Sequence, residues 1–218
     1  MEFSEIDLNK KKGLLSDLDD TLYAYEPCHK AGYIACSMLA KEKFGIGEAD
    51  FEQCWKQSRN RVHNDLRGQG ASHSRLLYAQ KLGELFFGFT HPEFALEMEE
   101  TYWNTFLDTM QWNPELRNFL DRAKKLGIKM CIVTDLTAQI QLKKWNKLEL
   151  GEYFNFMVSS EEAGIEKPGR YMYELAMEKL GLNASEVIML GDSREKDVNA
   201  PMEIGIKSYL VREGRLSQ

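Results

Sequence analysis

Among its 218 residues the chain has no Cys-x-x-Cys pair, no long apolar run and no excess of positive charge. Each absence excludes something. The four cysteines, Cys28, Cys36, Cys54 and Cys131, fit no metal-finger spacing and read as reduced thiols. No stretch is apolar enough to span a membrane, and Met1-Glu2-Phe3-Ser4-Glu5 lacks the basic start and apolar run of a secretion signal. A cytoplasmic protein with no membrane partner is therefore expected. A net charge of −6 argues against a nucleic-acid surface, although it is compatible with a local basic pocket. There is no internal repeat and no low-complexity segment. What is present, 43% hydrophobic and 28% charged residues, suits one generous globular domain or a core with a smaller companion.

From Ile128 onward, short apolar runs alternate with helical patterns. The runs 128–133, 154–158, 187–190 and 206–210 are predicted strands, and the stretches 138–148 and 169–180 are predicted helices. A helix is also predicted after Asn113-Pro114, a cap residue followed by a first-turn proline. Its buried stripe would be Leu116, Phe119, Leu120 and Ala123, and Gly127 would end it. Such alternation predicts an α/β fold, a Rossmann-like parallel sheet flanked by helices, with ligands beyond the carboxyl ends of the strands. Residues 27–110 differ. They show no convincing strand, and breaks at Gly45-Ile46-Gly47, Gly68-Gln69-Gly70 and Gly88 divide them into four helices. Ile34, Met38 and Leu39 would form one apolar stripe and Met98, Tyr102 and Phe106 another. The expected division is a core of residues 1–25 and 111–218 with an inserted helical cap at 26–110.

Four polar clusters fall at the ends of predicted strands. Leu14-Leu15-Ser16 runs into Asp17-Leu18-Asp19-Asp20-Thr21, three acids within four positions, whose repulsion a divalent cation would relieve. Two carboxylates there can divide labour as nucleophile and proton carrier; taken alone they equally suit an acidic turn or a helix cap. Thr134 offers a hydroxyl for a phosphate oxygen or a cap for the following helix. Lys167, ahead of a proline that opens a helix, could point an ammonium into the cleft. Gly191-Asp192 places a carboxylate on a tight turn, a good ligand for a hard metal. Asp197 could hold a metal-bound water or Lys167, or simply sit in a helix's first turn.

Together and in this order, Asp17-x-Asp19-x-Thr21, Thr134, Lys167-Pro168 and Gly191-Asp192 with Asp197 resemble the signature of the haloacid dehalogenase superfamily. The resemblance implies a Mg²⁺-dependent phosphatase acting on a nucleotide or sugar phosphate. Asp17 would form an aspartyl-phosphate and Asp19 would carry protons. Mg²⁺ would sit on Asp17, the Asp19 carbonyl and Asp192, with Thr134, Asp135 and Lys167 at the phosphate and Thr21 and Asp197 behind them. Asp19 argues against the dehalogenase branch, whose halide leaves without a proton. A sugar phosphomutase and a silent binding protein remain alternatives. Asp135 departs from the Thr-Asn-Gly or Ser-Asn of many relatives, so its role stays open.

The cap holds Arg59, Arg61, His63, Arg67, His73 and Arg75 around Gly68-Gln69-Gly70. Ser72-His73-Ser74-Arg75 resembles a cap segment of nucleotidases and of sialic acid 9-phosphate phosphatases, which makes Arg75 the cap candidate for substrate binding. A solvated helical face is the competing reading. The expected partner is a small phosphorylated molecule, and the protein itself is read as a monomer or homodimer.

Overall fold

The computed structural model describes residues 2–212 and 215–217. The first strand, β1 (Gly13–Ser16), precedes four helices: α1 (Tyr25–Phe44), α2 (Glu48–Asp65), α3 (Arg75–Phe87) and α4 (Pro92–Thr109). Then follow α5 (Pro114–Lys125), β2 (Lys129–Thr134), α6 (Ala138–Lys147), β3 (Phe156–Ser159), α7 (Ser160–Ala163) and α8 (Arg170–Leu180). The chain continues through β4 (Val187–Gly191), a π-helical turn (Arg194–Asn199), α9 (Ala200–Glu203), β5 (Lys207–Arg212) and β6 (Arg215–Ser217). It divides into two compact units, one running to Tyr25 and resuming at Gln111, the other Glu26–Met110.

The first unit is an α/β structure on a six-stranded sheet of order β3-β2-β1-β4-β5-β6. Neighbours from β3 to β5 are parallel, and β6 pairs antiparallel with β5. Leu14, Leu15, Met130 to Val133 and Val187 to Leu190 are fully buried, which explains why these strands read as unbroken apolar runs: a parallel sheet is covered on both faces. Leu116, Phe119, Leu120 and Ala123 on α5, and Met172, Tyr173, Ala176 and Leu180 on α8, supply the buried stripes. Asn113 caps α5 by accepting from the N–H groups of Glu115 and Leu116.

The chain runs outward from β1 through β2 to β3, then returns to place β4 against the other side of β1. This reversal opens a crevice at the carboxyl ends of β1 and β4, where such sheets bind ligands. Register aligns Ser16 with Ile132 and with Leu190, so Asp17, the Thr134 loop and the Asp192 loop emerge at one edge.

The second unit is made of four helices, with breaks where the glycines predict them. Its α1 faces otherwise than predicted. Ile34 and Met38 are exposed, and the buried face is Cys28, Gly32, Cys36 and Ala40. Small residues line that face because α4 approaches closely: a Cβ on Gly32 would lie 2.8 Å from the Tyr102 carbonyl oxygen. Met98, Tyr102 and Phe106 on α4 are buried as the spacing predicts. Around Tyr102 gather Trp55, Trp103, Phe106 and His29, an aromatic core. Among the described residues no helix is long and apolar enough to cross a membrane.

Candidate active site

Asp17 leaves the end of β1 with its N–H donated to the Leu190 carbonyl at 2.8 Å, which pins it between β1 and β4. Its carboxylate meets Lys167, whose Nζ lies 2.8 Å from Asp17 Oδ1 and 2.7 Å from Asp197 Oδ1. All three are buried. Burial alone would drive the proton off Lys167, but the charges of Asp17, Asp197 and Asp135 outweigh it and hold the ammonium firmly charged. Burial pushes the Asp17 carboxyl well above the ordinary carboxylate range; Lys167 opposes this, and Asp197 and Asp192 add to it. Asp192 is raised too, by burial and then by Asp197.

Asp197 is fully committed. Oδ1 takes Lys167 and Oδ2 accepts the Ser193 N–H at 3.0 Å. It fits there because residue 191 is glycine: a Cβ at Gly191 would lie 2.3 Å from Asp197 Cγ. The lysine comes from the segment ahead of α8. That helix starts at Arg170, with Gly169 at its N-cap, so Pro168 does not open it as the sequence suggested.

Carboxylate oxygens of Asp17, Asp192 and Asp197 lie within 4.8 Å of one another. With Asp197 engaged by Lys167 and Ser193, Asp17 and Asp192 remain as donors. An all-oxygen set with more negative than positive charge fits a hard divalent cation.

The β2 end is organised by α6. Gln141 is fully buried, and its Nε2 donates to Thr134 Oγ1 at 2.7 Å and to the Asp135 carbonyl at 2.6 Å. Asp135 does not cap α6. Its Oδ1 accepts the Lys167 N–H at 2.9 Å and its Oδ2 accepts Lys196 Nζ at 2.7 Å, so both oxygens bind donors on other loops. Lys196, raised above its ordinary value because Asp135 outweighs burial, neutralises the extra acid.

Asp19 is more open than Asp17. Lys144 Nζ lies 2.7 and 2.9 Å from its two oxygens, the Tyr23 hydroxyl donates to Oδ1, and Gln141 Nε2 stands 3.5 Å from Oδ2. Burial works against the charge on Asp19, yet Lys144, Tyr23 and Gln141 together pull its pKa below the ordinary value. Gln141, Lys144, Tyr23 and Lys196 were not among the residues singled out from sequence. The available signal was on α6, where Gln141 and Lys144 occupy the buried stripe with Ile140, a place for apolar side chains. Thr21 is buried, and its hydroxyl oxygen makes no hydrogen bond among the described residues. It lines an open cleft of about 660 Å³ with Asp20, Tyr23, Trp112, Asp192 and Arg212.

Arg75 belongs to the second unit. It is buried, donates to the His73 carbonyl at 2.7 Å and the Tyr102 hydroxyl at 3.2 Å, and lies 5.0–5.4 Å from the rings of Tyr78, Tyr102 and Trp103. Arg59 and Arg61 are exposed. All four cysteines are thiols, and burial pushes those of Cys36 and Cys131 up to about 12, well away from a reactive thiolate.

A family described as haloacid dehalogenase-like hydrolase matches residues 14–211. The ribulose-1,5-bisphosphate 5-phosphatase of Halopiger xanaduensis is 35% identical over 198 residues, covering 90% of this chain and 83% of that protein. The glyceraldehyde 3-phosphate phosphatase of Methanocaldococcus jannaschii is 27% identical over 208 residues, covering 94% and 86%. Among solved structures, a 2-haloacid dehalogenase from Pseudomonas syringae pv. Tomato DC3000 superposes with a TM-score of 0.74 at 21% identity, over 92% of this chain and 86% of that one. That last likeness shows the shared fold.

Proposed function

The chain belongs to the haloacid dehalogenase-like hydrolases, and from that premise we propose that it is a phosphatase hydrolysing a small phosphorylated metabolite through an aspartyl-phosphate on Asp17. The observation that carries this reading is the pair of carboxylates at the end of β1, set in opposed environments. Asp17 is enclosed against a lysine, whereas Asp19 is held by donors and stays partly open. The two relatives act, by their names, on a sugar bisphosphate and a triose phosphate, which supports a short sugar phosphate over a nucleotide.

In this reading the Asp17 carboxylate attacks phosphorus in line, and the bond from phosphorus to the substrate oxygen breaks. The Asp19 carboxyl group gives its proton to that leaving oxygen. Asp19, then a carboxylate, takes a proton from the water that attacks the aspartyl-phosphate, and Asp17 is released with inorganic phosphate. Asp19 is ionised at rest; a phosphate dianion alongside it raises its proton affinity, and it takes up from solvent, as the substrate binds, the proton that it then gives to the leaving oxygen. Lys167 and Thr134 hold phosphoryl oxygens, and Asp197 keeps Lys167 aimed at Asp17. Mg²⁺ on Asp17, Asp192 and the Asp19 carbonyl would supply the charge that lets a phosphate approach the buried carboxylate. Cap residues, Arg75 among them, would select the substrate: Arg75→Ala should raise KM for the true substrate more than for a small aryl phosphate, and equal effects would remove Arg75 from that role.

Asp17→Asn tests the nucleophile. The variant should fold, retain Mg²⁺-assisted phosphate binding and release no phosphate. Undiminished turnover would exclude Asp17. A phosphomutase would use the same residues while shielding the intermediate from water, and an isomeric sugar phosphate in place of free phosphate would identify it.

A further inference from the structure

Asp19 is gripped by side chains that lie outside the strand-end motifs. Lys144 and Gln141 sit three residues apart on α6 and share one face of that helix. The Lys144 side chain is fully buried, yet its ammonium reaches both oxygens of Asp19, at 2.7 and 2.9 Å. Burying an ammonium where the helix could place a methylene chain destabilises the fold unless the charge is met. What the arrangement achieves is a carboxylate contacted at both oxygens and fixed in one orientation.

Gln141 joins that carboxylate to the other side of the crevice. Its Nε2 binds Thr134 Oγ1 and the Asp135 carbonyl at the β2 end, and faces Asp19 Oδ2 at 3.5 Å. The amide orientation follows from its partners, since the opposite one would set oxygen against the Asp135 carbonyl and the Asp19 carboxylate. Tyr23 completes the grip through its hydroxyl. Two loops distant in sequence, 17–21 and 134–136, are thus spaced by one helix face.

We propose that Lys144 and Gln141 are positioning residues that set the Asp19 carboxyl group against the leaving oxygen of a phosphoryl group held at Thr134. The inference rests on the proton-carrier role proposed above for Asp19. It concerns the orientation of that carboxyl group and involves no covalent step on Lys144 or Gln141.

The test uses the intact protein with Mg²⁺ and two substrates, a sugar phosphate that it turns over and p-nitrophenyl phosphate. A sugar alkoxide needs a proton to leave, whereas p-nitrophenolate does not. Lys144→Met should lower kcat/KM, which covers the steps up to departure of the leaving oxygen and not the shared hydrolysis of the aspartyl-phosphate, at least about tenfold more for the sugar phosphate than for the aryl ester, a selective part of what a general acid contributes. Lys144→Arg should recover part of the loss. Asp19→Asn should show the same selectivity. Equal losses on both substrates in Lys144→Met, with Asp19→Asn selective, would overturn the positioning role alone. Equal losses in Asp19→Asn would overturn the proton-carrier reading and this inference with it. Should Lys144→Met fail to fold, Gln141→Met is read by the same comparison.

Discussion

At the scale of single residues the site depends on which groups are left without a side chain as much as on which carry charge. Gly191 adopts an ordinary backbone conformation, so its need for glycine is spatial: Asp197 occupies the volume a methyl group would take. Gly191→Ala should push Asp197 off Lys167 and lower kcat by about tenfold or more, a modest share of the losses seen when a catalytic group is misplaced. Steady-state kinetics alongside a melting curve would check this, and unchanged kcat in a folded variant would show that Asp197 does not orient Lys167.

His29 gives a prediction of another kind. Burial, with Arg75 and Arg59 nearby, lowers its pKa from 6.5 to about 4, and its Nδ1 lies 2.7 Å from the Tyr102 hydroxyl. Between those two values the unfolded chain binds a proton that the folded chain refuses. Stability should therefore fall as pH drops through that window. His29→Gln should flatten that part of the stability-versus-pH curve, measured by urea unfolding; an unchanged slope would mean His29 is protonated in the fold.

At the scale of elements, what was legible in the sequence follows from burial. Strands β1, β2 and β4 stood out because both faces of a parallel sheet demand apolar residues, while β3 and β5, buried only in part, stood out as short β-leaning runs. The α5 helix stood out because cap, proline, stripe and terminal glycine agree. Three features were not legible. The β6 strand is three residues long with an exposed start. The π-helical turn at 194–199 is mostly polar, and its two buried residues, Asp197 and Val198, give no period. In α1 the buried side is made of small residues, so an apolar-stripe reading chose Ile34 and Met38 and turned the helix to the wrong face. The strand-end acids and Lys167 were legible as motifs; Gln141 and Lys144 were not, because polar residues on a helix are ordinarily read as its solvent side.

The close approach of α1 and α4 can be tested directly. Gly32→Val adds atoms where Tyr102 already stands, with the nearest contact at 2.8 Å for the Cβ alone. Overpacking of this kind costs about 1–3 kcal/mol, so the variant should unfold at lower denaturant concentration. Wild-type stability in Gly32→Val would mean the two helices separate without penalty.

For the molecule as a whole, acidic residues outnumber basic ones, and part of that excess is concentrated at the crevice edge. The carboxyl groups of Asp17 and Asp192 are raised by burial and by neighbouring acids, which marks a site whose charge is under-compensated. A cation that binds only the folded chain stabilises it by about 2.7 kcal/mol at a hundred times its Kd. Mg²⁺ should accordingly raise Tm, and Asp192→Asn should abolish most of that rise. An equal Tm shift in the variant would place the cation elsewhere.

The most direct measurement is phosphate release from a panel of sugar phosphates, triose phosphates, nucleotides and a simple aryl phosphate, with Mg²⁺ and with chelator. Release of free phosphate that the chelator stops, greatest for a short sugar phosphate, is the expected result. No free phosphate from any substrate, with the protein folded and Mg²⁺ present, would contradict hydrolysis through Asp17 and Asp19.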